Sequence, residues 1–298
     1  MHTFEKAREF IYRNARPLDL AKFQYHFEDG GQNAVLTALA TYQNADGGFA
    51  HALEPDCWNP NSSPIQTWAA TEELFDIGFS DASHPIVRGI LNFLSSGAHF
   101  DGKRWSNCIP SNNDHPHAPW WNYANQSARS DSYNPTAALA GFIVRFADKG
   151  SELFDMGCHI VHEAVDDLAD DETCEFLLPC YARLWEYCAE ANLHDIIDLD
   201  ALQQKLHKLM SPLEFVKNCD SVGYHENKQL IEEKCHDLVK TQLSDGSWNI
   251  PFNWGEDTAY PSELAITTRW WKGYGAVGDL CYLRDMGFIQ PKNSVKRT

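Results

Sequence analysis

The sequence predicts an all-α fold, and three observations carry that prediction. Apolar residues recur at three- and four-residue spacing in stretch after stretch, the period of a helix with one buried face. No pair of alternating, turn-linked segments reads as strands. One turn also occurs twice, as Leu39-Ala40-Thr41-Tyr42-Gln43-Asn44-Ala45-Asp46-Gly47-Gly48-Phe49 and as Leu238-Val239-Lys240-Thr241-Gln242-Leu243-Ser244-Asp245-Gly246-Ser247-Trp248. Both copies fit Leu-x-x-x-Gln-x-x-x-Gly-x-aromatic, and a matched pair of this length reads as a repeat rather than as two independent helix ends.

In chain order, the first helix covers 3–14, with Phe4, Ala7, Phe10 and Ile11 on one face, and Arg16-Pro17-Leu18 breaks it. A short helix follows over 18–27. A third covers 32–43, with Val35, Leu36, Leu39 and Ala40 as its apolar stripe. The repeated turn then begins. Gln43 and Gln242 fall in the last helical turn, where a side-chain amide can bond free backbone groups. Gly47 and Gly246 follow Asp and take the left-handed conformation that ends a helix. Phe49 and Trp248 fold back as apolar lids.

A polar loop over 50–63 leads to a helix that starts at Pro64, capped by Ser62 or Ser63, and runs through Trp68 and Phe75 to Gly78. His84-Pro85 opens the next, through Ile90 and Phe93. The segment 99–133 is irregular and rich in Asn, His, Pro and Trp. Loops longer than about 15 residues are uncommon unless they have a function. Asn134-Pro135 opens an apolar helix over 136–147. Helices over 151–168, 173–191 with a kink at Pro179, and 199–209 come next. A helix over 230–242 enters the second copy of the turn. A polar loop over 249–260 ends at Pro261, and the last helix covers 262–286, broken around 273–278. The expected organisation is a single domain over 1–290, followed by a disordered basic tail over 291–298.

The repeated turn resembles the QW-type repeat of squalene–hopene cyclases and protein prenyltransferase β subunits. The likeness covers residues 39–49 and 238–248. A weaker third copy, Asp101-Gly102-Lys103-Arg104-Trp105, has one extra residue and no Gln. The resemblance implies an α/α toroid, a ring of helical hairpins in inner and outer layers, of the terpenoid cyclase and protein prenyltransferase kind. In such a ring the loops 50–63, 99–133 and 249–260 each cross the same rim before a Pro-started inner helix, whose partly positive N-terminus points at that rim. It implies an enzyme acting on a bulky, partly apolar substrate. The chain has the repeat without the group's catalytic motifs. Asp-x-Cys for zinc is absent, Asp56-Cys57 having the wrong spacing, and Glu54-Pro55-Asp56 shares only charge with the cyclase Asp-x-Asp-Asp. Asp166-Asp167-Leu168-Ala169-Asp170 spells the magnesium–diphosphate motif of class I terpenoid enzymes, but lies at a helix end outside the rim loops and reads as structural.

Composition limits the partners. With 24 Lys plus Arg against 42 Asp plus Glu, the net charge of −18 disfavours nucleic acid and anionic membranes. No stretch approaches the length of a membrane span, and Met1-His2-Thr3-Phe4-Glu5-Lys6 lacks an apolar signal region. The expectation is a cytoplasmic monomer or weak dimer. The nine Cys are scattered, none in a Cys-x-x-Cys pair, and read as reduced residues.

The rim loops hold the candidate chemistry. Glu54, Asp56 and His117 are the expected catalytic residues: paired acids stiffened by proline beside an imidazole suit proton transfer. Trp58, His115, Trp120, Trp121, Asn122, Tyr133, Trp254, Glu256 and Asp257 are the expected substrate-binding residues. No cofactor is expected; His115 and His117 can join Asp114, Glu54 or Asp56 around a divalent metal, but no motif calls for one. Two other readings stay open. One is a glycan-processing toroid, a glycoside hydrolase or polysaccharide lyase with an oligosaccharide ligand. The other is a binding or scaffold protein without chemistry.

Overall fold

A computed structural model describes residues 2–124, 132–172, 174, 176–254 and 259–290. Among them the chain is all-α, with isolated antiparallel bridges but no strand. The helices are α1 (His2–Asn14), α2 (Pro17–Phe27), α3 (Gln32–Ala40), α4 (Pro64–Asp76), α5 (Pro85–Ser95), α6 (Thr136–Phe146), α7 (Glu152–Asp167), α8 (Leu178–Glu190), α9 (Leu199–Leu209), α10 (Pro212–Phe215), α11 (Lys228–Thr241) and α12 (Pro261–Asp285). Two 3-10 turns, Pro110–Asp114 and Pro119–Trp121, punctuate the long loop before α6. No described helix is long and apolar enough to cross a membrane.

Two compact units emerge. The first is Met1–Thr41 with Ser211–Thr298; the second is Tyr42–Met210. The core of the first unit joins both chain ends. Ala7 and Ile11 of α1, Phe23 and Phe27 of α2, Ile231, Cys235 and Leu238 of α11, and Val277, Leu280 and Leu283 of α12 pack together with Trp248.

The second unit is centred on α6, where every residue from Thr136 to Val144 is buried. A helix apolar on all sides belongs inside, and its small residues let neighbours approach closely. A Cβ on Gly141 of α6 would stand 2.9 Å from the Leu184 Cα of α8, and one on Gly157 of α7 would stand 2.6 Å from the Ile143 Cγ2 of α6. Arg183 of α8 reaches α4. It bonds the Glu72 carboxylate at 2.8 and 3.0 Å, and its guanidinium lies 3.4 Å from the Phe75 ring centroid.

The two repeated turns make the same contacts. Gln43 Nε2 donates to Gly47 O at 3.0 Å and to Ile86 O of α5 at 3.1 Å. Gln242 Nε2 donates to Gly246 O at 3.0 Å and to Thr3 O of α1 at 2.9 Å. Gly47 and Gly246 have φ of 89° and 95°. A Cβ on Gly47 would meet Gly89 O of α5 at 2.1 Å, and one on Gly246 would meet Lys6 O of α1 at 2.1 Å. The Gln therefore reaches the second residue of its partner helix, and the Gly abuts the fifth, in both units.

Several sequence expectations need correction. Gln43 and Gln242 lie beyond their helices, not in the last turn: α3 ends at Ala40, Gln43 pairs with Phe49 in a bridge, and Gln242 is the C-cap of α11. The glycines accordingly shape the turn after the helix rather than the helix end itself. Pro179 opens α8 and does not kink it. Pro135 is the N-cap of α6 rather than its first residue. The last helix is unbroken across its glycines, and Gly273 lets it approach Ala15, whose Cα would lie 3.0 Å from an added Cβ. The tail over 291–298 lies outside the described residues. The Asp-Asp-x-x-Asp string is engaged in ion pairs, Asp170 with Lys205 at 2.8 Å and Asp167 with Arg104 at 3.9 Å.

Candidate functional site

The loop over 50–63 begins with backbone strain. His51 and Ala52 both have positive φ, 60° and 61°, in a chain where glycine normally takes that role. Each such residue costs on the order of 1 kcal/mol or more. Side chains around the first repeated turn hold the loop in place. His51 Nε2 contacts Asn44 Oδ1 at 2.9 Å, Asn44 Nδ2 donates to Pro60 O at 2.9 Å, and Ser62 Oγ donates to Asp46 Oδ1 at 2.7 Å. The strained turn sends Glu54-Pro55-Asp56 inward. Asp56 is buried, with 1% exposure, and Glu54 half-buried.

The 115–122 stretch meets this loop along its length. Ala118 N donates to Asp56 O at 2.8 Å, Trp58 N donates to Pro116 O at 2.9 Å, and Cys57 faces His117 in an antiparallel bridge. The decisive contact is between side chains: Trp121 Nε1 donates to Asp56 Oδ1 at 2.7 Å. A hydrogen bond to a carboxylate inside a buried site is among the stronger kinds. His117 is nearly buried, and its Nδ1 lies 2.7 Å from His115 O. A carbonyl only accepts, so Nδ1 carries the proton, and in the neutral ring Nε2 is the acceptor. The structure thus brings Asp56, His117, His115, Trp58 and Trp121 into one loop-to-loop seam.

Beneath the seam lies a polar hub that sequence reasoning missed. Asn112 is fully buried. Its Oδ1 accepts from Asn59 Nδ2 at 2.8 Å, and its Nδ2 donates to Trp121 O at 3.2 Å. Cys57 Sγ approaches the same Oδ1 at 3.7 Å, and Gln66 Nε2 of α4 approaches Cys57 Sγ at 3.8 Å. Burial pushes the Cys57 thiol well above its usual value, and the neighbouring Asp56 charge adds to the effect. Cys57 is therefore a packed thiol, not a nucleophile. Gln66 Oε1 is buried with no hydrogen-bond partner. A buried amide oxygen of this kind calls for an explanation.

The remaining candidates are placed as follows. Trp58 is half-buried, its Nε1 donating to Pro55 O at 3.0 Å. Trp120 and Asn122 are half-buried, and Asn122 Oδ1 accepts from Ala124 N at 2.9 Å in a local turn. Tyr133 is buried before α6. Trp254 belongs to the first unit, where its Nε1 donates to Thr268 Oγ1 at 3.3 Å and its ring meets Phe252 edge-on. Glu256 and Asp257 lie outside the described residues. Among the described residues, no three His, Cys, Asp or Glu side chains gather as metal ligands would.

No protein-family model matches the chain, and no curated protein or solved structure does.

Proposed function

We propose that the chain is an α/α toroid of the prenyltransferase and terpenoid-cyclase-like group. It is an enzyme that takes a bulky, partly apolar ligand at the seam between loops 50–63 and 99–122. The ring reading is supported by the repeated turn, which grips the second and fifth residues of a helix in both units, as serial hairpins require. The functional reading is carried by one observation: Asp56 is an acid at 1% exposure, beside a strained turn and bonded to the Trp121 indole. Strain kept in a loop is a pointer to function. Asp56 is the proposed acid, Glu54 its partner and His117 a proton acceptor, with Trp58, Trp120 and His115 as walls.

A binding or scaffold role is the second reading. It is favoured because Asp56 also pins two loops together through Trp121 and Ala118. A thermal-shift screen with geranyl and farnesyl diphosphates, with and without magnesium, and with chito- and cello-oligosaccharides separates these readings, since a bound ligand raises Tm by mass action. An isoprenoid response that disappears in Asp56→Asn, while that variant melts like the parent, supports the enzyme. A response to oligosaccharides alone favours the glycan-processing reading. A response to neither probe, with Asp56→Asn strongly destabilised, favours the scaffold.

A further inference from the structure

We propose that Asn112 is a positioning residue for the seam: its carboxamide fixes Trp121 so that the indole N–H meets Asp56. The inference rests on reading Asp56 as the acid of the site. It adds a residue that acts on that acid through Trp121.

The Asp56–Trp121 bond joins segments that do little to fix themselves. Trp121 closes the short 3-10 turn Pro119–Trp121, held internally by Trp121 N donating to Ala118 O at 2.9 Å and Asn122 N to Pro119 O at 3.3 Å. Turns this short have poor hydrogen-bond geometry. An indole swings on its side-chain torsions, so its N–H meets an acceptor 2.7 Å away only if the backbone beneath it is anchored from outside.

Asn112 supplies that anchor from the other 3-10 turn, Pro110–Asp114. The Trp121 carbonyl only accepts, so the amide nitrogen faces it and the amide oxygen faces Asn59 Nδ2. Asn59 is oriented in turn: its Oδ1 accepts from Asn61 N at 3.0 Å, and its Nδ2 also donates to Ser111 Oγ at 2.9 Å. Cys108 Sγ backs the arrangement, 3.7 Å from Asn112 Nδ2 and 3.3 Å from Trp121 O. One residue along, Asn113 Oδ1 accepts from Tyr123 N at 2.8 Å, so consecutive asparagines grip the chain on both sides of Asn122.

The contacts close a ring. Cys57, next to Asp56 in sequence, approaches Asn112 Oδ1; Asn112 Nδ2 holds Trp121 O; Trp121 Nε1 returns to Asp56 Oδ1. The side chain in the middle must both accept and donate. A carboxamide does so, whereas an ionised Asp lacks the donor and Leu lacks both. Satisfying a buried amide needs partners of any origin. Here each end of the amide takes one of the two segments that Asp56 and Trp121 come from.

The test is NMR of the full-length protein, isotope-labelled at tryptophan nitrogen and free of ligand. The Trp121 indole peak is assigned by its loss in Trp121→Phe. An N–H bonded to a buried carboxylate is shifted downfield and exchanges slowly with solvent. Asn112→Ala is expected to return the peak toward the ordinary indole position and to speed its exchange about tenfold or more. Tyr181→Phe is the control. It removes another buried bond of the same unit, Tyr181 Oη to Ala164 O at 2.8 Å, and should lower Tm while leaving the peak in place. An Asn112→Ala protein that melts lower but keeps the parent peak and exchange overturns the proposal, since Asn112 would then only fill space. A control that moves the peak equally overturns it too. If Asn112→Ala does not fold, Asn59→Ala frees the oxygen end of the amide and makes the same test: a moved peak supports the proposal, and an unmoved one overturns it. Because no ligand is present, failure of the Asp56 reading shows separately, as the absence of any response in the thermal-shift screen.

Discussion

Single atoms decide much of the behaviour of the repeated turns. At Gly47, an added methyl faces both a left-handed backbone and a carbonyl oxygen 2.1 Å away on the rigid helix α5. Gly47→Ala is expected to cost about 2–4 kcal/mol, combining strain with a displaced helix contact. Gly102 has the same backbone sign with open space around it, so Gly102→Ala should cost only about 1 kcal/mol. Urea unfolding of the two variants checks the contrast, and equal losses would show that docking contributes nothing. Trp121→Phe keeps a ring in the seam but removes the donor to Asp56. It should lose about 1.5–3 kcal/mol, as for a hydrogen bond to a charged group. Asp56→Asn preserves an acceptor and should lose less; the reverse order would mean the carboxylate charge, not the bond, holds the loops. The approach of loops 50–63 and 115–122 was legible because both precede Pro- or Asn-Pro-started helices. The Asn112 hub was not: an Asn in a polar loop reads as turn chemistry, and nothing in its local pattern reveals that three segments converge on it.

At the level of elements, periodicity located the helices well, while their ends depended on contacts that local sequence does not encode. Gln43 leaves α3 early because its amide reaches α5, 43 residues further on. The glycines of α12 looked like a break, and Gly273 in fact lets a continuous helix approach Ala15. The same helix holds an unusual acid. Burial pushes the Asp279 carboxyl up to about 6, with Lys234 pulling it partly back. An acid whose folded value is raised favours the protonated fold. Its contribution is fully present below the unfolded value near 3.8 and is lost as pH rises through about 6. The loss is on the order of 1–3 kcal/mol, since the group keeps some solvent contact. Asp279→Asn should therefore melt above the parent at pH 7 and level with it at pH 4. Calorimetry at both pH values decides it, and an identical offset at each would assign the effect to packing instead of charge.

Across the whole molecule, the second repeated turn does something no single helix reveals. Gln242 and Thr3 are 239 residues apart in sequence, yet their bond fastens α1 into the first unit and makes one core from both chain ends. Such long-range closure must hold against a chain carrying 42 acidic and 24 basic side chains. Exposed ion pairs relieve little of that imbalance, each being worth under about 1 kcal/mol. The dominant electrostatic term is then mutual repulsion among carboxylates, which opposes the compact state. Raising sodium chloride from about 10 mM to about 200 mM shortens the screening length from about 30 Å to under 10 Å and weakens that repulsion. The Tm at pH 7 is expected to climb by several degrees over this range, most of it at the low end, where screening changes fastest. Scanning calorimetry of the unmodified chain in chloride makes the measurement. A Tm that falls with salt would mean that attractive pairs, such as Arg183 with Glu72, outweigh the repulsion of the acidic surface.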